Sequence, residues 1–157
     1  MNYLLLNIFL ALAWAALSGQ VTPENLIGGF VLGYVLLWLA GRALDTSGYV
    51  RKVPQVISFF LYFLVELFTA NLRVAYEVIT PNLLMRPAIV AIPLDIRRDF
   101  EITLLANLIT LTPGTLSLDV SSDKRVLYVH SMYVDDIDAF RREIKDGFER
   151  RVMELFS

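Results

Sequence analysis

Apolar positions run through this chain in two rhythms, and the change comes at the prolines Pro81 and Pro87. Before Pro81 they form long unbroken runs. After Pro87 they alternate, or recur every three to four residues. The first run, Met1 to Leu17 (MNYLLLNIFLALAWAAL), predicts a helix over about residues 3–17. About 15 residues make a helix of roughly 22 Å, shorter than a hydrocarbon core of about 30 Å. Small residues around Ala15 and Ala16 are compatible with a signal-peptide cleavage site, but no basic segment precedes the run, so a membrane helix is the expectation. Ser18 to Asn25 is a turn, in which Thr22-Pro23-Glu24 has the chemistry of a helix start. The second run, Leu26 to Ala40, predicts a helix over about 26–40. Its Gly29 and Gly33 stand in G-x-x-x-G spacing, which lets a neighbouring helix backbone come close. The two short helices are expected to pair as an antiparallel hairpin.

Gly41 to Val53 is polar and basic, with Arg42, Arg51 and Lys52 against Asp45, and reads as a connector. The third run lies between Pro54 and Pro81 and predicts a helix over about 55–79. Some 26 residues give about 39 Å, enough to cross a bilayer. Its first half is apolar and aromatic except for Ser58 and Glu66. Its second half is amphipathic and carries Asn71, Arg73 and Glu77.

Beyond the linker the pattern predicts a small α+β domain over 88–157 in the order β-α-β-β-α. Val90, Ile92, Leu94 and Ile96 share one strand face, and Pro93 marks that strand as an edge. Asp99 is expected to cap a helix, Phe100 to Thr110, with Leu104, Leu108 and Leu111 inward. Thr112-Pro113-Gly114-Thr115 has proline second and glycine third, as a type II turn requires. A hairpin follows, with Leu116, Leu118 and Val120 inward on its first strand and Arg125 to Met132 as its second. A last helix runs from Asp135-Asp136 to about Phe156, with Ile137, Phe140, Ile144, Phe148, Val152 and Leu155 as its apolar stripe. The fold class is thus an α-helical membrane anchor of three hydrophobic helices over 1–80, the first two short, followed by the small α+β domain.

Composition sharpens the division. The apolar fraction is 56% and the mean hydropathy +0.56, against about 45–50% apolar in soluble domains. The first 80 residues hold four basic groups (Arg42, Arg51, Lys52, Arg73) and four acidic ones (Glu24, Asp45, Glu66, Glu77). The net charge of −2 gives no nucleic-acid signal, and the absence of cysteine removes disulfides and thiolate chemistry. By the positive-inside tendency the basic connector favours the cytoplasm.

Among ionisable residues Glu66 stands out. A carboxylate about eleven residues into a membrane helix lies within the bilayer, where its charge costs at least about 2.5 kcal/mol. It reads as a contact with another subunit or as part of an ion or proton path, and Asn71, Arg73 and Glu77 extend the same side. His130 is the only histidine and lacks companions for a metal site. Asp119 on a neighbouring strand completes no hydrolytic triad with it. Asp135, Asp136 and Asp138 fit N-terminal charge on a helix better than a cation loop. No phosphate loop or dinucleotide fingerprint is present, so the sequence implies no enzyme, no cofactor and no metal.

The run Asn107 to Val120 (NLITLTPGTLSLDV), followed by Leu127 to Met132 (LYVHSM), resembles the MrpE/MnhE family, the E-type subunits of the multisubunit Mrp-type (or Mnh-type) sodium/proton antiporters. The likeness extends over the whole chain, and Thr112, Pro113, Gly114, Thr115, Asp119 and His130 carry it. The resemblance implies a companion subunit for assembly or function in a complex of six or seven different subunits in the bacterial cell membrane. Ion and proton movement belongs mainly to the large subunits of such complexes. Its partners would be the other antiporter subunits and the lipid bilayer, and its C-terminal domain would face the cytoplasm, against the pull of the basic connector. The alternatives are direct participation in translocation through Glu66 and a stand-alone membrane-anchored binding module.

Overall fold

A computed structural model describes residues 3–41, 47–80 and 85–156. It is mostly helical, with one long apolar helix, short apolar helices and a small three-stranded antiparallel sheet. The chain forms two compact units, Met1–Ile57 and Ser58–Ser157, and the division falls inside the long helix.

In the first unit α1 (Tyr3–Leu17) and α2 (Pro23–Leu39) pack antiparallel. Helix α2 begins at Pro23, three residues before the expected start, because Thr22 caps it and accepts from Asn25 N at 3.3 Å. Gly29 and Gly33 are buried against α1 of the same chain. A Cβ on Gly29 would stand 2.9 Å from Ala11 O, and one on Gly33 would overlap Asn7 Oδ1. Asn7 is fully buried and donates through Nδ2 to the Tyr49 hydroxyl at 2.7 Å. Large side chains such as Phe9, Leu32, Leu36 and Trp38 point outward. In water such a surface is unfavourable, and in lipid it is the expected exterior.

The third helix, α3 (Ser47–Ile79), has 33 residues and contains Pro54. By length and composition it is the one described helix able to cross a membrane. The expected connector therefore ends sooner. Residues 47–53 are helical, Arg51 and Lys52 ride on the first turns of α3, and 42–46 lie outside the described residues. Pro54 cannot donate to Val50 O. The Tyr34 hydroxyl donates to that oxygen instead, at 3.0 Å, which keeps the helix continuous.

The second unit contains the rest of α3, then β1 (Ala88–Pro93), α4 (Asp99–Leu111), β2 (Thr115–Val120), β3 (Val126–Ser131), α5 (Ile137–Ile144), a π-helical turn (Lys145–Glu149) and α6 (Arg150–Phe156). The expected linker residues 81–84 lie outside the described residues. The sheet order is β1-β3-β2, so the strand that ends in Pro93 is an edge, as its proline requires. Val90, Ile92, Leu94 and Ile96 are all buried, although the ladder stops at Pro93. They pack with Leu105, Ile109, Leu127, Val129 and Val152, and Phe59, Tyr62 and Phe63 of α3 lie against this core.

Three details differ from the sequence pattern. On β2 Leu116 and Leu118 are exposed along with Asp119, while Thr115 and Ser117 turn toward α4. Ser117 Oγ donates to Ala106 O at 3.0 Å, and a bulge between Ser117 and Asp119 shifts the register. In α4, Arg98 holds the cap position without a side-chain bond and Asp99 is the first helical residue. The buried stripe there is Ile102, Leu105, Leu108 and Ile109, and Leu111 is exposed. In the last helix Ile137 is exposed, while Phe140, Ile144, Phe148 and Val152 are buried. A strict four-residue repeat drifts by about 40° per step on an α-helix. The wider π turn at Lys145–Glu149 takes up that drift and holds the stripe on the core.

Candidate functional site

Phe59, Phe63, Glu66, Ala70, Arg73 and Glu77 follow one another at steps of four and three along α3. That spacing puts them on a single helix face. The aromatic residues fix the direction of this face. Tyr62 meets Phe148 edge to face at 5.5 Å, and the Arg151 guanidinium lies 3.7 Å above the Tyr62 ring. The polar residues Glu66, Arg73 and Glu77 further along therefore face the small domain. Glu66 thus stands on the side of the helix that carries the aromatic anchor of the domain core.

Glu66 lines a small cavity of about 60 Å³, together with Arg73, Thr112, Thr115, Tyr133 and Glu143. Glu77 is buried, and its Oε2 accepts from the Tyr133 hydroxyl at 2.7 Å. The Arg73 guanidinium stands 5.5 Å from the centre of the Tyr133 ring. The structure thus joins two features of the sequence, the polar stripe of α3 and the Thr112-Pro113-Gly114-Thr115 turn.

The turn is closed by Thr115 N donating to Thr112 O at 3.2 Å. Gly114 has φ +88°, a left-handed conformation that disfavours side chains, and the Tyr133 ring occupies the place of a Cβ. Thr115 Oγ1 reaches both Ile109 O and Thr112 O, which ties the turn to the end of α4. Met132 N donates to Gly114 O at 2.8 Å and brings the neighbouring Tyr133 over the turn.

Electrostatics follow from the crowding of acids. Partial burial raises the Glu143 pKa, the Glu66 charge raises it further, and Arg73 opposes both. Burial also raises the Tyr133 pKa, reinforced by its bond to Glu77 and by that carboxylate's charge. Three carboxylates, one guanidinium and several hydroxyls can hold a proton or ordered water, and they tie the helix to the domain.

The other candidate residues lie apart. Asn71 is exposed and donates to Leu67 O of its own helix at 2.7 Å. Asp119 sits at the β2 bulge and accepts from Val120 N. His130 pairs across the sheet with Ile89 and Leu116, two register positions from the pairing of Asp119 with Tyr128. Asp136 caps α5, Asp135 pairs with Arg86 and Asp138 with Arg141. No group of three or more metal-ligating side chains occurs among the described residues.

Sequence reasoning missed Tyr133 and Glu143, and also a second buried network. Glu149 is 1% exposed. It accepts from Asp95 N at 2.6 Å, Ile96 N at 3.2 Å and Lys145 Nζ at 2.8 Å. It thereby fastens the end of β1 to the last helix. Burial alone would lower the Lys145 pKa, but the bonds and charges of Asp95 and Glu149 prevail and raise it.

A family model described as "Na+/H+ ion antiporter subunit" matches residues 7–155. The chain is 38% identical over 152 residues to the E-type Na(+)/H(+) antiporter subunit of Bacillus subtilis (strain 168), covering 97% of this chain and 96% of that protein. The corresponding protein of Alkalihalophilus pseudofirmus is 36% identical with the same coverage. Among solved structures, a chain of the membrane-bound sulfane sulfur reductase, an archaeal respiratory membrane complex, matches with TM-score 0.60 and 29% identity over 98% of each chain. A chain of the Mrp complex from Dietzia sp. DQ12-45-1b matches with TM-score 0.51 and 29% identity, covering 65% of this chain and 96% of that one. The chain belongs to the MnhE family of Na+/H+ antiporter subunits.

Proposed function

We propose that this chain is a non-catalytic structural and assembly subunit of a multisubunit sodium/proton antiporter complex in the bacterial cell membrane. The observation that carries this reading is the use of the polar stripe of α3. Arg73, Glu77 and Glu66 are engaged with Tyr133, Glu143 and the Thr112–Thr115 turn of the same chain. The opposite face presents Leu61, Val65, Phe68, Leu72 and Tyr76, an apolar stripe suited to neighbouring subunits or lipid. The Gly29 and Gly33 face is occupied by α1, so contacts with other subunits would use the outer surfaces of the hairpin. Residues 1–80 are the membrane anchor in this reading, and the domain of residues 88–157 braces the cytoplasmic side.

A second reading keeps Glu66 on an ion or proton route. It is favoured by the pocket that Glu66 shares with Glu143, whose pKa it raises. Glu66→Gln in the intact complex separates the two. Assembly is scored by pull-down and sodium-driven proton flux in vesicles. The scaffold role predicts normal assembly and normal flux. Normal assembly with lost flux would overturn it in favour of the second reading. Lost assembly would make the carboxylate a contact on which the complex depends.

A further inference from the structure

Polar residues from separate parts of the second unit meet in the cavity of about 60 Å³. Glu66 and Arg73 come from α3, Glu143 from α5, Tyr133 from the segment before α5, and Thr112 and Thr115 from the turn after α4. Glu77 joins them through the bond of its Oε2 to the Tyr133 hydroxyl. It is 9% exposed, and its Oε1 has no hydrogen-bond partner among the described residues. Fully ionised, the cluster sets three carboxylates against one guanidinium. Glu77 stands one turn from Arg73 on the same helix and has first claim on its positive charge. The charges of Glu66 and Glu143 are then balanced only in part.

The other groups around Glu143 do not make up the difference. Tyr62 of α3 brings a hydroxyl, and the Arg151 guanidinium of α6 is stacked on the Tyr62 ring at 3.7 Å. Ser131 of β3 and the Thr112–Thr115 turn also bring only hydroxyls. Burial grades across the cluster: Glu77 is buried, Glu66 half-buried, and Glu143 opens to solvent. A proton can therefore enter from water at Glu143 and act on charges that are screened less than those of the surface.

We propose that this cavity is a proton-operated latch: one proton taken up by the Glu66–Glu143 pair holds the Thr112–Thr115 turn and Tyr133 on α3, and its loss at higher pH loosens that contact. The Glu143 pKa is raised by burial and by Glu66, with Arg73 opposing. A raised folded-state pKa makes the closed contact favoured below the ordinary 4.5 and weakened as pH rises through the folded value. The opening is local. Tyr62 against Phe148, and Glu149 on the backbone of Asp95 and Ile96, lie outside the cavity and keep the domain folded. The latch concerns a contact within this chain, so it stands under either reading of Glu66 given above.

The test is amide hydrogen exchange of the full-length chain in detergent micelles, read by mass spectrometry. Thr115 N, Met132 N and Val134 N, all hydrogen-bonded beside the cavity, report on the contact. Comparing variants at one pH cancels the intrinsic pH dependence of exchange, and far-UV circular dichroism checks that each is folded at both pH values. At pH 4.5 wild type and Glu143→Gln should exchange alike. At pH 8 wild type should exchange faster, by up to about fivefold. Glu66→Gln should remove most of that difference. Three outcomes would overturn the proposal. One is equal exchange of wild type and Glu143→Gln at pH 8. Another is the same difference between them at both pH values. The third is protection at pH 8 by sodium chloride but not by N-methylglucamine chloride at equal concentration, which would make the occupant a metal cation.

Discussion

The Tyr34 hydroxyl donates to Val50 O, the carbonyl that Pro54 leaves without its helical partner. A proline inside a helix costs about 3 kcal/mol, partly through that orphaned oxygen. In a unit made of apolar helices an unsatisfied carbonyl is expensive, and a side chain from a neighbouring helix can satisfy it. Tyr34 also meets Tyr49 edge to face at 6.1 Å, so one residue joins α2 to the start of α3 in two ways. Tyr34→Phe keeps the ring and removes the donor, and should destabilise by about 1 kcal/mol. In a Pro54→Ala background the backbone donor is restored, and the same change should cost close to nothing. Unfolding of the four proteins of this double-mutant cycle in detergent measures the difference. Equal costs in both backgrounds would contradict the compensation.

Tyr133→Phe should be the most damaging single-atom change in the polar site. It removes the donor to Glu77 and leaves a buried carboxylate without that bond. Hydrogen bonds to charged groups are worth about 1.5–3 kcal/mol. The aromatic ring stays over Gly114 and near Arg73, so the loss isolates the hydroxyl. A fall in the denaturant midpoint without a change in slope is the expected signature. Glu77→Gln, which can still accept from Tyr133, should cost less.

The parts of this structure that were legible in the sequence are those set by local chemistry. Pro93 fixed its strand at an edge, and Pro113-Gly114 fixed a turn that the structure closes at Thr115. What the sequence left open was sidedness. A period of two shows that β2 has two faces, and it does not say which one is covered. The leucines Leu116 and Leu118 are exposed because the Thr115 and Ser117 hydroxyls bond to carbonyls of α4. Glu66 is the same case on a helix. Average hydropathy places the segment in lipid, whereas the four-three stripe from Phe59 to Glu77 places one of its faces on protein. Glu149 was hidden for another reason: it belongs to a π turn, and α-helical spacing assigns its side chain to the charged face.

The Lys145–Glu149 pair should show the cost of breaking a buried ion pair from one side. Lys145→Met leaves a carboxylate that is 1% exposed with two backbone donors and no counter-charge. A loss of about 3 kcal/mol or more is expected. The pair also predicts a dependence on alkaline pH. The folded-state pKa of Lys145 is raised above the ordinary 10.5. Its contribution is therefore complete below that ordinary value and is lost as pH rises through the folded value. Stability followed from pH 9 upward should fall more steeply in the wild type than in Lys145→Met.

Glu143 carries the opposite sign. Its pKa is raised from the ordinary 4.5, so the folded protein prefers the protonated acid. The stabilisation is present below that value and disappears as pH rises through the folded pKa. Glu143→Gln removes the ionisation and should gain stability relative to wild type between acid and neutral pH. The side chain is partly open to solvent, so the gain should stay within about 1 kcal/mol. The neighbours decide how large the effect is. Glu66→Gln removes a like charge and should shrink the pH dependence, whereas Arg73→Gln removes the opposing cation and should enlarge it. Unfolding midpoints from pH 4 to 8 for these three variants measure the coupling across the cavity. If Glu66→Gln left the pH profile of Glu143 unchanged, the two carboxylates would not share an electrostatic site.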